Sequence, residues 1–340
     1  MIQKVRVYMS DSFTSPSQRN FIPLHARIFV AGHRGMVGSA IVRRLQAEGH
    51  DNLLLRSSAE LDLRNQAAVA DFFASERPDY VFLAAARVGG IIANSTRKGE
   101  FIYDNLLIQA NVIHNAFTTG VKRLLFLGST CIYPKFAPQP MPEACLLTGP
   151  LEPTNDAYAV AKIAGISMCR SYNEQYGSRF LSAMPNNLYG SNDNFDLINS
   201  HVMPALIRKF YEAKMNGAES VTVWGSGTPL HEFMHVDDMA DACLFLMNLD
   251  ESTYTSILDD PSAPALINVG SGDEVSILEL AVIIKEMFCF EGDLVFDLSK
   301  PDGTPRKLAD VGKLRSLGWK NKIGLRQGVM ETIEWFKQFI

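Results

Sequence analysis

The chain has 340 residues, 47% of them hydrophobic and 20% charged, with a formal net charge of −5. That composition is globular, not disordered, and no apolar run approaches the about 18 residues a membrane-spanning helix needs. A mildly acidic chain without a basic block argues against a nucleic-acid partner, and about 150 residues per domain suggests two domains or one with a large appendage.

Residues 1–25 read as an N-terminal extension, expected to be flexible. It lacks the apolar stretch of a signal peptide; its serine-rich, acid-poor composition is shared with transit peptides, so organelle targeting stays open. From residue 26 a regular alternation begins. Arg27–Ala31 is an apolar strand, and Gly35–Ala47 a helix with Met36, Val37, Ala40, Ile41 and Leu45 on one side. Asn52–Leu55 is apolar again, Asn65–Ser75 helical, Tyr80–Ala84 a strand, Asp104–Thr119 a helix and Arg123–Leu127 a strand. A long helix over Tyr158–Tyr176 and a strand over Phe180–Met184 follow. Continuous apolar strands separated by helices predict an α/β fold, a Rossmann-type doubly wound parallel sheet covered on both faces. Residues 185–235 are rich in Asn, Gly, Ser and Pro, around a helix near His201–Lys214 and a strand at Val221–Trp224. Helices at 237–249, from Ile277 and over Gly328–Phe339, with a strand near Phe296, complete the pattern. The expected organisation is a dinucleotide-binding domain over 26–185, part of 230–270 returning to it, and a smaller C-terminal α/β substrate lobe over 186–340.

Cys131, Cys145, Cys169, Cys243 and Cys289 are odd in number and widely spaced, with no CxxC pair. Neither a disulfide framework nor a metal site is expected, and a reducing, cytoplasmic setting is the simple reading.

The first strand runs into Gly32-His33-Arg34-Gly35-Met36-Val37-Gly38, spaced GxxGxxG. Glycines at a strand-to-helix turn let the backbone approach a pyrophosphate seated at the helix N-terminus. The second strand ends Leu55-Arg56-Ser57-Ser58, without the acid that holds the ribose hydroxyls of NAD. Arg56, with Arg34, is suited to a 2′-phosphate, which favours NADP(H); two solvated surface arginines are the alternative.

The strand Arg123–Leu127 delivers Ser129, Thr130 and Cys131 at its carboxyl end, where an open α/β sheet places its ligands. Tyr158 and Lys162 lie one helical turn apart and share a face. An ammonium beside a phenol favours the phenolate, so the Tyr158 pKa is expected to be lowered. Tyr158 then serves as acid/base for a carbonyl oxygen to which Ser129 gives a second hydrogen bond. Asn186-Asn187-Leu188-Tyr189-Gly190 follows the fifth strand on the same edge, and His201 opens a helix. On spacing alone Cys131 and His201 read first as an inert thiol and a satisfied histidine.

GHRGMVGSAI at 32–41, LAAARVGGI at 83–91, FLGSTCIYPK at 126–135 and PLEPTNDAYAVAKIAGI at 150–166 form a dense set of motifs. NNLYG at 186–190, SHVMPALIRKF at 200–210, VWGSGTP at 223–229, EFMHVDDMADA at 232–242 and KPDGTPRKL at 300–308 continue it. These stretches resemble the extended short-chain dehydrogenase/reductases that act on nucleotide sugars, specifically the GDP-4-keto-6-deoxy-mannose 3,5-epimerase/4-reductases. The resemblance implies epimerisation of that sugar at C3 and C5, then NADPH-dependent reduction at C4 to GDP-L-fucose. Cys131 matches the family's base and His201 its acid, with Tyr158, Ser129 and Lys162 serving the C4 oxygen and the nicotinamide ribose. It extends the cofactor set beyond the glycine loop to Arg56, Ser58, Asp62, Leu63, Leu127, Gly128, Ser129, Thr130 and Lys162. Pro185, Asn186, Asn187, Leu188 and His201 complete that set. The substrate set is Asn187, Lys209, Trp224, His231 and Asp302, although Trp224 equally suits a lobe core. A homodimer through the helices at 104–119 and 158–176 is also implied.

Asp237 and Asp238 read as an N-cap and a first-turn charge. Four positions depart from the family pattern. His231 stands where an arginine would clamp the diphosphate, and an imidazole titrating normally would make GDP-sugar affinity weaken from about pH 6 to 8. Lys209 stands where arginine is common, Ser58 where some members carry arginine, and Ser191 breaks a usual Gly-Pro. The competing reading is another nucleotide-sugar enzyme of this fold, a 4-epimerase or a 4,6-dehydratase, although Thr130-Cys131 carries no carboxylate of a dehydratase pair. A non-catalytic NADP-binding protein ranks last, since Tyr158 and Lys162 are both present.

Overall fold

Short strands made wholly of apolar residues have no polar face to turn to water, so they pack between two helical layers. The computed structural model describes residues 21–197, 200–261, 264–300 and 302–339. Residues 1–20, and with them the targeting question, lie outside the described residues. The chain runs β1 (Ile28–Ala31), α1 (Met36–Ala47), β2 (Leu53–Leu54), α2 (Gln66–Glu76), β3 (Tyr80–Leu83), α3 (Ile91–Thr96), α4 (Lys98–Thr118), β4 (Arg123–Leu127), α5 (Asp156–Tyr176) and β5 (Phe180–Pro185). It continues with β6 (Asn187–Tyr189), α6 (Val202–Met215), β7 (Ser220–Trp224), β8 (Leu230–His235), α7 (Val236–Met247), α8 (Glu251–Leu258), β9 (Leu266–Val269) and β10 (Glu274–Ser276). Last come α9 (Ile277–Met287), β11 (Asp293–Asp297), β12 (Arg306–Lys307), α10 (Gly312–Ser316) and α11 (Leu325–Lys337).

Six parallel strands form the main sheet in the order β2-β1-β3-β4-β5-β9. Every residue of β1, β3, β4, β5 and β9 is buried. Ala40, Ile41 and Leu45 of α1 and Met239 and Cys243 of α7 cover one face. Phe73 of α2, Val112 and Ile113 of α4 and Ile166 of α5 cover the other. The strand order reverses beside β1, and such a switch point opens a ligand crevice beyond the carboxyl ends of the strands.

In the second lobe β8 pairs with β6 and β12 in parallel and with β10 antiparallel, while β7 and β11 form a separate parallel pair. Leu206 and Phe210 of α6, Leu280 and Ile284 of α9, and Val329 and Phe336 of α11 form its core. No helix of the described residues is long and apolar enough to cross a membrane.

Several elements differ from the sequence reading. Packing reaches upstream of residue 26: Ile22 is fully buried, its amide donates to Asn248 Oδ1 at 3.0 Å, and the Arg123 guanidinium lies 3.3 Å from the Phe21 ring centroid. Helix α4 starts at Lys98, ahead of the expected Asp104, and its first turn buries Phe101. The sequence shows no strand at β8 because buried Glu232 and His235 interrupt its apolar residues. His235, not Asp237, caps α7: its Nδ1 accepts from the Asp237 amide at 3.3 Å. Asp238 lies in the first turn of α7, as expected, and accepts from the amides of Lys322 and Ile323, at 3.0 and 2.9 Å.

Candidate active site

The glycine loop is shaped by backbone contacts that exclude a Cβ. Gly32 has φ +87°, and a Cβ there would lie 2.7 Å from the Ala85 nitrogen. Gly38 packs against the Gly32 carbonyl so closely that any side chain would collide with it. Gly35 caps α1 without a side-chain hydrogen bond, so the first amides of the helix face the loop uncapped. A glycine cradle against an uncapped helix N-terminus fits a dinucleotide pyrophosphate. Arg34 is exposed and has no ion-pair partner among the described residues. The Nδ1 of His33 is buried without a partner.

Arg56 sits differently from the expectation of a free phosphate ligand. Its guanidinium donates to Glu76 Oε1 at 2.7 Å and Leu55 O at 2.9 Å and lies 5.6 Å from the Phe72 ring centroid. Ser58 is exposed, while Ser57 donates through N and Oγ to Glu60, at 2.7 and 2.6 Å. Asp62 is paired with Arg64 at 2.8 Å, and the Leu63 carbonyl accepts from Asn111 at 2.9 Å.

At the end of β4, Gly128 donates to Ala183 O at 2.9 Å, and a Cβ there would strike the Met184 side chain. Ser129 caps the turn Thr130–Ile132, its Oγ accepting from the Cys131 amide at 3.4 Å. Tyr158 and Lys162 lie in the first two turns of α5, with the Lys162 ammonium 5.8 Å from the Tyr158 ring centroid. Lys162 is buried, donates to Leu127 O at 2.7 Å, and burial pushes its pKa down to about 8. The expected lowering of the phenol is not what the structure gives. Burial, with a smaller push from Cys131, holds Tyr158 well above the ordinary phenol value, and the Lys162 ammonium is directed at Leu127 O. Burial also raises the Cys131 thiol, and Lys307 is the first of the groups that draw it back.

Beyond β5, Asn186 and Asn187 are structural ties. Asn186 accepts from Thr130 Oγ1 at 3.3 Å and donates to Glu232, and Asn187 donates to Glu232 O at 2.7 Å. Pro185 ends β5, and Leu188 pairs with Met234 across β6 and β8. His201 heads α6; the surrounding walls, then the Lys307 charge, hold its imidazole below the ordinary value.

On the second lobe Trp224 is 42% exposed, which excludes it from the lobe core. The ammonium groups of Lys209 and Lys300 lie 4.9 and 5.3 Å from its ring centroid. Lys209 also donates to Thr222 O at 2.8 Å. Asp302 accepts from Ser226 N and Oγ, both at 2.8 Å. His231 Nε2 meets the Thr304 carbonyl at 2.9 Å, and burial, with a smaller push from Lys307, holds the imidazole below 6.5. The expected loss of charge between about pH 6 and 8 is therefore shifted to lower pH.

Residues 28–257 match the NAD dependent epimerase/dehydratase family. The chain belongs to that family. It is 61% identical to the putative GDP-L-fucose synthase 2 of Arabidopsis thaliana, over 92% of this chain and 92% of that protein. It is 55% identical to the GDP-L-fucose synthase of Escherichia coli strain K12, over 91% of this chain and 96% of that protein. A solved GDP-mannoheptose C4 reductase from Campylobacter jejuni, with NADP bound, matches with a TM-score of 0.84 at 42% identity, covering 93% of this chain and 99% of that one.

Two charged residues near these side chains escape a reading of spacing alone. Lys307 bears on Cys131, His201 and His231 together, and Glu232 is a fully buried carboxylate between the lobes. Both sit inside quoted motifs, EFMHVDDMADA and KPDGTPRKL, so their residue type in an otherwise matching run was the available signal.

Proposed function

We propose that this chain epimerises GDP-4-keto-6-deoxy-D-mannose at C3 and C5 and reduces C4 to give GDP-L-fucose, with NADP(H) as cofactor. The reading is supported by Ser129 and Cys131 on the turn after β4, by Lys162 of α5 donating to Leu127 O at that strand's end with Tyr158 one turn away, and by the glycine cradle after β1, while His201 heads α6. The C4 ketone acidifies the hydrogens on C3 and C5. Cys131, as thiolate, takes a proton from carbon, and His201 returns one on the opposite face. Ser129 and Tyr158 hydroxyls hold the C4 oxygen while it carries the enolate charge. The bound nicotinamide supplies the hydride for C4. A phenol whose pKa is held high by burial is protonated at neutral pH, which suits Tyr158 to give its proton to the new C4 alcohol. Lys162 sits one turn away to bind the nicotinamide ribose. Trp224 offers a face for the base, and Lys209 and Asp302 flank it for the nucleotide.

Tyr103 and Leu106 on α4 and Val160 and Tyr176 on α5 are exposed, which supports a homodimer built on those two helices. The deciding experiment incubates the protein with NADPH and GDP-4-keto-6-deoxy-mannose in deuterated water. Deuterium at C3 and C5 with stoichiometric NADPH oxidation is expected. Turnover with retained, unchanged nicotinamide would favour a 4-epimerase or dehydratase instead.

A further inference from the structure

The turn after β4 that carries Cys131 is closed by two backbone bonds: Ile132 N donates to Ser129 O at 3.2 Å and Tyr133 N to Thr130 O at 3.3 Å. A helical turn of three residues has poor hydrogen-bond geometry, so its position is set by what grips its ends. The Cys131 amide adds only a long bond to Ser129 Oγ, at 3.4 Å. Thr130 Oγ1 donates to Asn186 Oδ1 at 3.3 Å. At the other end the buried Tyr133 hydroxyl donates to Asn268 Oδ1 at 2.6 Å, the closer of the two grips.

Asn268 is fully buried on β9, the edge strand of the main sheet. Its Nδ2 donates to Met141 O at 2.9 Å and Asp310 O at 3.1 Å, and its main-chain amide donates to Glu143 Oε1 at 3.0 Å. Met141 is tied to the same segment, donating to Leu308 O at 2.8 Å and accepting from Asp310 N at 2.9 Å. Asn186 reaches that segment as well: its Nδ2 donates to Lys307 O at 3.2 Å and to Glu232, whose Oε2 accepts from Ala309 N at 3.0 Å. Both ends of the Cys131 turn are thus bonded, through one asparagine each, to residues 307–310. With its donors and its acceptor all engaged, Asn268 is a fixed seat for the Tyr133 hydroxyl.

We propose that Tyr133 is a positioning residue for the epimerisation base: its hydroxyl, seated on Asn268, holds the turn that presents the Cys131 sulfur to the substrate carbon. This rests on the reading of Cys131 as that base. Proton transfer from carbon depends steeply on placement, and a displacement of about 1 Å costs on the order of 10²-fold. Hydride transfer to C4 draws instead on the nicotinamide, on Tyr158 and on Ser129, which precedes the turn. Removing the Tyr133 hydroxyl alone therefore separates the two half-reactions.

The test compares full-length wild type with Tyr133→Phe, which keeps the ring and deletes the bonded oxygen, and with Val329→Ala, a truncation in the core of the second lobe that lowers stability without touching the turn. The first readout needs no sugar nucleotide. Amide hydrogen exchange of the peptide carrying residues 130–133, read by mass spectrometry, is expected to quicken by about tenfold in Tyr133→Phe, the loss of one buried hydrogen bond, and to hold in Val329→Ala. In turnover with NADPH and GDP-4-keto-6-deoxy-mannose in deuterated water, kcat for deuterium entry at C3 and C5 is expected to fall by about tenfold in Tyr133→Phe with KM unchanged. NADPH oxidation continues, so the unepimerised C4 alcohol appears beside GDP-L-fucose, which Val329→Ala does not produce. An unchanged exchange rate or an unchanged product ratio in Tyr133→Phe would each overturn the proposal. So would equal losses of deuterium entry and NADPH oxidation, which would make Tyr133 a stability residue only. Wild type that admits no deuterium at C3 and C5 would overturn the reading of the reaction, and the exchange rates would still show whether the hydroxyl holds the turn.

Discussion

Tyr158→Phe removes one oxygen atom and leaves its surroundings in place. The ring packs edge-on to Phe101 with centroids 6.5 Å apart, a contact that phenylalanine keeps. Lys162 is held by Leu127 O, not by the phenol, so the ribose side of the site should persist. What is lost is the proton donor for C4, and burial holds that donor protonated across the neutral range. Loss of a positioned general acid costs about 10²–10⁴ in rate, or about 2.7–5.5 kcal/mol of barrier. Epimerisation should suffer less, because Ser129 still holds the C4 oxygen and Cys131 and His201 are untouched. Single-turnover NADPH oxidation followed by absorbance measures the first effect, and deuterium uptake at C3 and C5 by NMR measures the second. Near-wild-type NADPH oxidation would show that another group gives the proton and would refute the assignment.

Cys131→Ser replaces the base with a hydroxyl too weak to take a proton from carbon near neutral pH. Deuterium entry should fall by about 10²–10⁴ while the hydride site remains, so the unepimerised ketone is reduced instead; normal uptake would sink the assignment. His231 is neutral through about pH 7 to 8, because burial holds its imidazole below 6.5, so Kd for GDP should be flat there and tighten only at lower pH. His231→Arg should bind GDP about tenfold tighter across the whole range, the gain of one charge-assisted bond, and superimposable titrations of the two proteins would show the substitution to be silent. Arg34→Ala should weaken NADPH binding by about tenfold or more, measured by fluorescence titration, with little change in Tm. Arg56→Ala should show the reverse pattern, a lower Tm with a smaller change in affinity, since it breaks the Glu76 pair and the Phe72 contact.

The glycine loop and the Tyr158–Lys162 pair were legible because both depend on neighbours in the chain. Gly32 and Gly38 answer to a turn of seven residues, and Tyr158 and Lys162 to one turn of α5. The alternation of apolar strands and helices likewise predicted the parallel sheet, since strands buried on both faces read as unbroken apolar runs. Strand β8 was hidden for the opposite reason. Its Glu232 and His235 are polar, and only hydrogen bonds from residues distant in sequence, Asn186, Gly272 and Ala309, make the burial of Glu232 tolerable. That Arg56 pairs with Glu76, twenty residues on, was not legible from its place at the end of the second strand. The protonation of Tyr158, Cys131 and His231 was likewise beyond the sequence. A pKa is set by desolvation and by charges arriving through space, and the cation that bears on Cys131 comes from β12, a strand of two residues whose place is decided by pairing with β8.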